Sequence, residues 1–482
     1  MRVVGERMLK RLLIILFFVF YIFIPIWAQD FGFGFNDEIS QAGSGGDRPV
    51  AISGEVATAI IGYFDEMAEG AEHIKTVDMF MFSGKLKFLA QSPIAQGVIK
   101  IKLVPSLVPI SIDEAYIGAF YEGFDFSAGL KKVTWGKADQ FGPLDVINLP
   151  DQSKIFIEMA DNSNLSDVKI ANPVIHASYR FGQFSKIEGI FLPSFQIISM
   201  AVSSAVDGSN EFLTLITGPA STERWMPKEM DAFNKMINGK DENGNKLTAF
   251  SFEKTEATGL DYAQAGVRFT TTLGSADVGM QYFYGRMFQP AAKFYLAEKT
   301  FLPTIEFLFN IYHQIGIDYA QVLAGFNVRA EAAANITEDL DGSDGLIYNP
   351  SIGWSLGFDR DLFLGINLNC QANGNVRLFN DKVGSSNIPF DPDFDNEAGK
   401  PVTATRLTSM LSRKFLRDEL ELRAAVVWGI EDKDFVIIPS LIWTRDGLKA
   451  AFSGGFFLGD SDGQLGQYKN NNFLKASLAY TF

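Results

Sequence analysis

Apolar and polar side chains alternate along much of this 482-residue chain. In 364–373, four odd positions hold Asn or Gln and the even positions are apolar, and 321–332 and 419–426 follow the same rule. A period of two is that of a β-strand, whose successive side chains point to opposite faces. We therefore predict an all-β chain whose strands each have one apolar face and one polar face.

The connections between the predicted strands alternate in length. Short turns are predicted at 91–94, 122, 182–185, 274, 317–318, 359–360, 417–418 and 446, and most of the intervening connections, such as 136–170 and 197–259, are long. Short periplasmic turns and long extracellular loops are typical of outer-membrane barrels, which close so that no backbone edge faces lipid. We predict a closed antiparallel transmembrane β-barrel of about 18 strands over residues 49–482, with 16 strands as the alternative.

The first 28 residues have the organisation of a secretory signal peptide. Four basic residues precede the apolar run from Leu12 to Phe23, and Ala28 is a small residue at the predicted cleavage point. We predict a signal peptide over 1–28 and a short N-terminal periplasmic segment over 29–48. An uncleaved anchor is the alternative for the first segment.

The composition argues against several classes of function. A net charge of −15 disfavours nucleic-acid binding, and one cysteine, Cys370, excludes a disulfide framework. Three isolated histidines leave little for a metal centre, and no nucleophile elbow, zinc-protease helix or phosphate loop is present. We predict no enzymatic activity, no cofactor and no metal site.

The chain ends on a strand with an aromatic residue. Leu474, Leu478, Tyr480 and Phe482 share the apolar face of this strand. Tyr480 and Phe482 are the predicted C-terminal signal for the barrel insertion machinery. The predicted location is the outer membrane of a diderm bacterium, and the predicted partners are its lipid, that machinery and small hydrophilic solutes.

Charged side chains on the polar faces would line the lumen. Lys85, Lys87, Lys100 and Lys102 lie on adjacent strands and would form a basic stripe that favours anionic solutes. In the alternative interpretation, nearby carboxylates pair with these lysines and the stripe simply keeps the lumen wet. The full set of pore-lining candidates is Lys85, Lys87, Lys100, Lys102, Arg180, Arg268, Arg329, Glu331, Glu421 and Arg423.

Loop 136–170 is long enough to fold into the lumen as a constriction. Its candidate residues are Trp135, Asp139, Asp145 and Asn148, and its carboxylates would face the basic stripe. A loop packed on the barrel rim is the alternative.

Two further loop features have simple interpretations. Residues 226–237 predict a short amphipathic helix, which would cover the barrel mouth. The acidic clusters in 338–344 and 391–397 could hold Ca²⁺, but neither matches an EF-hand loop and solvated acidic loops are favoured.

Several segments together resemble a known family. They are 113–117, Trp135-Gly136 with Asp139, Asp145-Val146-Ile147-Asn148, 187–195, 329–332 and 466–472. In this order they resemble a poorly characterised family of bacterial outer-membrane barrels related to phosphate-selective and alginate-export-type porins. Leu149 departs from the family pattern, in which Asn and Pro are commonly adjacent. The resemblance implies a passive outer-membrane channel without naming its solute.

These features are compatible with two functions. The first is a porin-like channel for passive diffusion of small hydrophilic solutes, with anionic solutes included. The alternative is a surface-exposed barrel that acts as an adhesin or structural outer-membrane protein and has an occluded lumen.

Overall fold

The computed structural model describes a large part of the chain. The described residues are 50–64, 77–103, 110–148, 150, 155–161, 165–195, 251–252, 259–288, 290–296, 303–379 and 403–482. The predicted signal peptide, the 29–48 segment, the 226–237 helix and the 391–397 cluster lie outside these residues.

The described residues form 21 strands, of which 18 build one barrel and three a small separate sheet. The barrel strands are β1 (Val50–Tyr63), β2 (Val77–Gln91), β3 (Ala95–Leu103), β4 (Ser111–Tyr121), β5 (Phe124–Lys131), β6 (Asn172–Phe181), β7 (Ser185–Leu192), β9 (Gln264–Leu273), β10 (Ala276–Arg286), β13 (Ile311–Leu323), β14 (Phe326–Thr337), β15 (Ser351–Asp361), β16 (Ile366–Arg377), β17 (Thr403–Phe415), β18 (Leu420–Gly429), β19 (Asp434–Arg445), β20 (Leu448–Gly459) and β21 (Phe473–Thr481). The small sheet contains β8 (Ser251–Phe252), β11 (Ala291–Leu296) and β12 (Pro303–Leu308).

The barrel is closed by its first and last strands. Every barrel strand pairs antiparallel with the next barrel strand along the chain. Glu55 of β1 is opposite Lys85 of β2 on one side and Thr481 of β21 on the other. Each barrel strand therefore has two neighbours, as a bilayer-spanning sheet requires. The predicted closed barrel of about 18 strands is confirmed, with 18 strands rather than 16.

The two faces of the wall differ as the alternation predicts. On β13, Ile315 and Ile317 are more than half exposed on the outside, whereas Gln314 and Asp318 are buried inside. The outer surface of the other strands carries further exposed apolar side chains, including Val56, Ile117, Ile175, Met280, Leu356, Phe452 and Leu478. Burial of such a surface in lipid is favourable, and the polar inner face is shielded from lipid by the wall.

Short turns lie at one end of the barrel and most long connections at the other. Turns 122–123, 274–275 and 446–447 each join neighbouring strands with two residues. At the opposite end, the connection 430–433 between β18 and β19 is the exception, with four residues. This asymmetry is that of an outer-membrane barrel.

Two predicted turn positions are wrong. Residues 317–318 lie inside β13, and the turn is made by Ala324 and Gly325, which have φ values of +52° and +80°. Two consecutive positive φ values are characteristic of the tight hairpin turn that matches strand twist. Similarly, 359–360 lies inside β15, and the chain turns at 362–365. In β13 the alternation continues past the polar Asp318, whose side chain pairs with Arg268 on the inner wall.

The connection between β5 and β6 contains the short helical segments that position the candidate site. They are α1 (Ile155–Asp161) and a 3-10 turn over Leu165–Val168. Within the described ranges, no helix is long and apolar enough to cross a membrane.

Candidate functional site in the barrel lumen

The inner wall brings the four predicted lysines together. In the β2–β3 register, Lys85 is opposite Lys102 and Lys87 is opposite Lys100. Like charges directly opposite each other on one face repel, so they need compensation from nearby groups.

Carboxylates supply much of that compensation. The ion pairs are Lys85–Asp167 (2.8 Å), Lys85–Glu55 (3.5 Å), Lys100–Glu114 (2.7 Å) and Lys102–Asp113 (2.7 Å). Burial alone would raise the pKa of Asp167, but attraction to Lys85 and a hydrogen bond from it lower that pKa below its ordinary value. The stripe therefore exists as a geometric feature, and at least three of its lysines are ion-paired.

Loop 132–171, the connection between β5 and β6, enters the lumen and is tied at its base by Asn148. This side chain is fully buried, and its Oδ1 accepts a hydrogen bond of 2.6 Å from the Val133 amide. Its Nδ2 donates to the carbonyls of Ile170 (2.7 Å) and Lys131 (3.3 Å). Asn148 thus joins the two ends of the loop and divides its described residues into two lobes, lobe one over 133–148 and lobe two over 155–161 and 165–168.

A buried ion pair lies beside this base. Lys169 and Asp145 are 2.5 Å apart, and each side chain is 7% exposed. Burial raises the pKa of Asp145, and the attraction to Lys169 offsets only part of this effect. Asp145 therefore stabilises the loop internally and does not face the basic stripe.

Lobe one is held against β14 by two charged side chains. Glu331 accepts hydrogen bonds from the backbone amides of Lys137 and Ala138, the second at 2.7 Å. Arg329 lies 2.6 Å from Asp139 of the loop. Burial raises the pKa of Asp139 although Arg329 and Asn369 act in the opposite direction.

A ladder of side-chain amides continues this attachment on the neighbouring strands. Gln281 of β10 donates to the Leu144 carbonyl, and Gln314 of β13 donates to the Pro143 carbonyl, both at 3.0 Å. Gln281 also donates to Gln314 at 2.9 Å. The buried loop backbone thereby obtains the hydrogen-bond partners that burial demands.

Inward-facing glycines make room for the apolar side chains of lobe one. A Cβ on Gly266 would lie 2.7 Å from the Trp135 ring, and one on Gly316 would collide with Leu144. Trp135 is 2% exposed and packs edge-to-face against Phe283, with ring centroids 6.3 Å apart. Trp135 is thus an anchor of the loop and is sealed from any solute path.

Lobe two contacts a different part of the wall, formed by β18–β21. Asp161 is the last residue of α1. The Asp161 carboxylate lies 2.6 Å from Lys475 and accepts hydrogen bonds of 2.9 Å from Ser453 and Ser477. Burial alone would raise the pKa of Asp161, but Lys475 and the hydroxyl donors lower it below its ordinary value.

The carbonyl groups at the end of α1 meet the same part of the wall. Ser440 and Arg423 donate to the Ala160 carbonyl at 2.6 and 3.3 Å, and Lys449 donates to the Asp161 carbonyl at 2.8 Å. Cationic donors at a helix C-terminus satisfy its unpaired carbonyls and oppose its partial negative charge.

Above this polar contact, lobe two packs into an apolar cluster inside the barrel. Met159 and Val168 of the loop are buried with Val436, Ile438 and other wall residues. Phe156 stacks edge-to-face on Phe457, with ring centroids 5.1 Å apart. This sector of the lumen is therefore filled by a dry core.

The remaining predicted residues have distinct positions. Arg268 is buried on the inner wall against Asp318 (2.6 Å) and Glu188 (3.7 Å). Arg180 is 64% exposed and pairs with Asp125 near the short-turn end.

Two other predictions concern β18 and the chain's end. Glu421 is opposite Lys414 on the inner face of β18. Phe482 exchanges two backbone hydrogen bonds of 2.9 Å with Gly54 of β1, and Tyr480 and Phe482 are about half exposed on the outer surface. Both aromatic residues therefore lie where β21 pairs with β1 and closes the barrel. Their recognition by the barrel insertion machinery stays a prediction.

Sequence reasoning missed Asp161, Asp167 and the wall serines. Their contacts depend on the path of a loop, which the strand pattern does not encode.

In the acidic segment 338–344, a carboxylate bonds to the backbone of the same segment. The Asp339 side chain accepts a hydrogen bond of 2.6 Å from the Asp344 amide. Among the described residues, no group of three His, Cys, Asp or Glu side chains could hold a metal ion.

No protein-family model matches the chain, and no curated protein matches it in sequence. Solved outer-membrane proteins resemble its barrel. A loop-deletion variant of OmpT, an outer membrane protein of Vibrio cholerae, is 8% identical with a TM-score of 0.38, covering 90% of this chain and 99% of that chain. A variant of Rh. blastica porin is 9% identical with a TM-score of 0.37, at 90% and 100% coverage.

Salmonella typhi OmpF in complex with daunomycin is 7% identical with a TM-score of 0.38, at 90% and 97% coverage. Likenesses of this degree assign no function. The location follows from the barrel itself, since a closed antiparallel barrel with an apolar exterior and a polar interior is an outer-membrane architecture. The protein is an outer-membrane β-barrel.

Proposed function

We propose that the protein is a porin-like channel for passive diffusion of small hydrophilic solutes and that loop 132–171 forms its constriction. The observation that carries the proposal is the attachment of the two lobes to two different sectors of the inner wall, which β17 separates. Lobe one is tied to β10–β16 and lobe two to β18–β21 and β2. A barrel of this strand number has a lumen wide enough for a channel, and a fixed inner loop would set its width.

The inner wall also supports a preference for anionic solutes. Lys87 and Lys100 are directly opposite each other on the stripe, on the side of the barrel where β2 and β3 lie. Carboxylates offset part of this charge, and a remaining local excess of positive charge would raise the concentration of anions in the confined lumen. The resemblance to phosphate-selective and alginate-export-type porins agrees with this preference.

Planar-bilayer recording of the refolded, full mature barrel tests the proposal. We expect stepwise, ohmic conductance, with a reversal potential on the anion-selective side in a KCl gradient. Absence of ion-permeable steps at any voltage overturns the channel function.

The alternative, an adhesin or structural barrel with an occluded lumen, is favoured by one observation. The apolar cluster around Phe457 fills one sector of the barrel interior with a dry core. This alternative predicts no conductance and unchanged solute uptake by cells that lack the protein, together with loss of adhesion to a host or matrix surface.

A further inference from the structure

The site of α1 attachment is a continuous row of hydrogen-bond donors on the barrel wall. Arg423 is opposite Ser440, Ser440 is opposite Ser453, and Ser453 is opposite Lys475 in the registers of β18–β21. Ser477 is one inward-facing position away from Lys475 on β21. We name Arg423, Ser440, Ser453, Lys475 and Ser477 the donor row.

The donor row lies on the four strands β18–β21, and Asp161 and the Ala160 carbonyl of the loop are acceptors for it. Ser453 donates to one carboxylate oxygen of Asp161, and Lys475 and Ser477 meet the other. Ser440 and Arg423 donate to the Ala160 carbonyl. The wall therefore presents its donors in a geometry that suits a carboxylate with an adjacent carbonyl oxygen.

Burial makes this contact selective for an anion. The side chains of Lys475 and Asp161 are 8% and 9% exposed. A buried ammonium that loses its carboxylate is strongly destabilising, whereas a replacement anion of the same shape restores the balance. The barrel is therefore more stable when an anion occupies the donor row than when the row is empty.

We propose that the donor row is a carboxylate-binding site and that Asp161 of α1 is its tethered occupant, which a small carboxylate replaces when α1 is away from the wall. Lobe two is then an internal stopper, held in place by a ligand that the chain carries itself. Apolar packing of Met159 and Phe156 also fixes α1 against the wall, so a free carboxylate competes poorly with the tethered Asp161 in the wild type. The gating consequence rests on the proposed channel function, but the binding does not.

The test is chemical rescue of the full barrel by sodium acetate. Asp161→Ala removes the tethered carboxylate and leaves the donor row intact. We expect a lower melting temperature for this variant and a rise in that temperature as acetate is added over about 1–100 mM, because a ligand that binds the folded state stabilises it increasingly with concentration. The wild-type barrel, whose site is occupied, should shift much less.

Two controls separate site binding from a general salt effect. Asp446→Ala changes a carboxylate in an exposed turn and should respond to acetate like the wild type. Sodium chloride at matched ionic strength should not rescue Asp161→Ala. Equal shifts in all three proteins, or no acetate response in Asp161→Ala, would overturn the proposal.

Further variants keep the test informative if Asp161→Ala fails to fold. Asp161→Asn retains the shape and part of the hydrogen bonding, and it should show the same rescue to a smaller extent. Adding Ser477→Ala to either variant removes one donor and should weaken the acetate response. An undiminished response in that double variant places the acetate elsewhere and contradicts the donor row.

Conductance provides a separate readout. Asp161→Ala should conduct more than the wild type, and acetate should leave that gain in place because a free carboxylate in the donor row does not tether lobe two. If no barrel conducts but acetate still stabilises Asp161→Ala selectively, the channel function fails and the carboxylate site stands.

Discussion

Arg329 and Asp139 join the inner wall to the loop, with Nη1 of Arg329 2.6 Å from Oδ2 of Asp139. The same nitrogen lies 2.6 Å from Oδ1 of Asp359 on the neighbouring strand. The arginine is thus shared between a loop carboxylate and a wall carboxylate. Some of the charged side chains that the strand pattern predicts for the lumen therefore hold the loop in place. Only the lumen charges that are not neutralised in this way can act on a solute.

Arg329→Met should weaken the attachment of lobe one to β14, which Glu331 still holds. Without the guanidinium, Asp139 and Asp359 are two neighbouring, largely buried carboxylates that repel each other. Because the Arg329 side chain is 11% exposed, we expect a loss of about 3–5 kcal/mol in the free energy of unfolding. Urea unfolding, followed by heat-modified gel mobility, measures this loss.

Arg180→Met is the matched control for this substitution. Its ion pair with Asp125 is 2.7 Å long, but the arginine side chain is 64% exposed. Exposed pairs contribute about 0–1 kcal/mol. Equal destabilisation by the two substitutions would show that Arg329 does not anchor the loop.

Gly316→Ala should displace lobe one by steric overlap. The added methyl group would collide with Leu144, and the rigid β13 backbone can move little. We expect a loss of about 1–3 kcal/mol, the usual cost of overpacking. Faster proteolysis within the loop of the folded barrel would report the displacement directly.

Gly97→Ala is the control for added volume in a strand. No atom lies within 4 Å of a Cβ built at Gly97 on β3, so the methyl group has open space. Its stability should be unchanged or slightly increased. If the loop of Gly316→Ala were as resistant to proteolysis as that of the wild type, Leu144 would not be packed tightly against Gly316.

The alternation of side chains was sufficient to predict the barrel because the environment on each side of a closed wall imposes it. Ile315 and Ile317 face out and Gln314 faces in, so the period of two reports the fold directly. The turn positions were harder. Asp318 looks like a turn residue in the sequence, but inside the barrel it is the partner of Arg268, and a polar residue on the inner face does not end a strand.

The inner contacts could not be predicted in the same way. Asp161 accepts a hydrogen bond from Ser477, 316 positions later in the chain, and this contact exists only because lobe two crosses the barrel. The lysine stripe could be predicted because β2 and β3 form one hairpin, whose register places Lys85 opposite Lys102. Loop carboxylates have no such register, so Asp167 and Asp161 were missed while Asp145, which pairs inside the loop, was selected.

The attachment of lobe two should weaken in acid. The pKa of Asp161 is lowered in the folded protein, so its ionised form contributes stability above its ordinary pKa of about 4 and loses this contribution as the pH falls through the lowered value. The cationic groups that lie around Asp161 are Lys475, which pairs with its carboxylate, and Lys449 and Arg423, which donate to the carbonyls at the end of α1. We expect the difference in urea midpoint between wild type and Asp161→Asn to be constant above about pH 5 and to shrink below about pH 4.

Asp446→Asn serves as the reference for other titrating carboxylates. Its midpoint should follow that of the wild type at each pH, since Asp446 lies in an exposed turn. If the wild type and Asp161→Asn differ by the same amount at pH 3 and pH 7, the ionised carboxylate of Asp161 does not hold lobe two.

Neutralising the lysine stripe should reduce the preference for anions. Lys87→Gln removes one charge from the stripe, at the position opposite Lys100. We expect the chloride-to-potassium permeability ratio to fall at about 0.1 M KCl, where the screening length is about 10 Å, and the change to be smaller at 1 M, where that length is about 3 Å. Lys433→Gln, in the exposed turn 430–433 at the rim, should leave the ratio unchanged. Reversal potentials that respond equally to both substitutions would mean that selectivity arises at the mouth and that the stripe inside has no part in it.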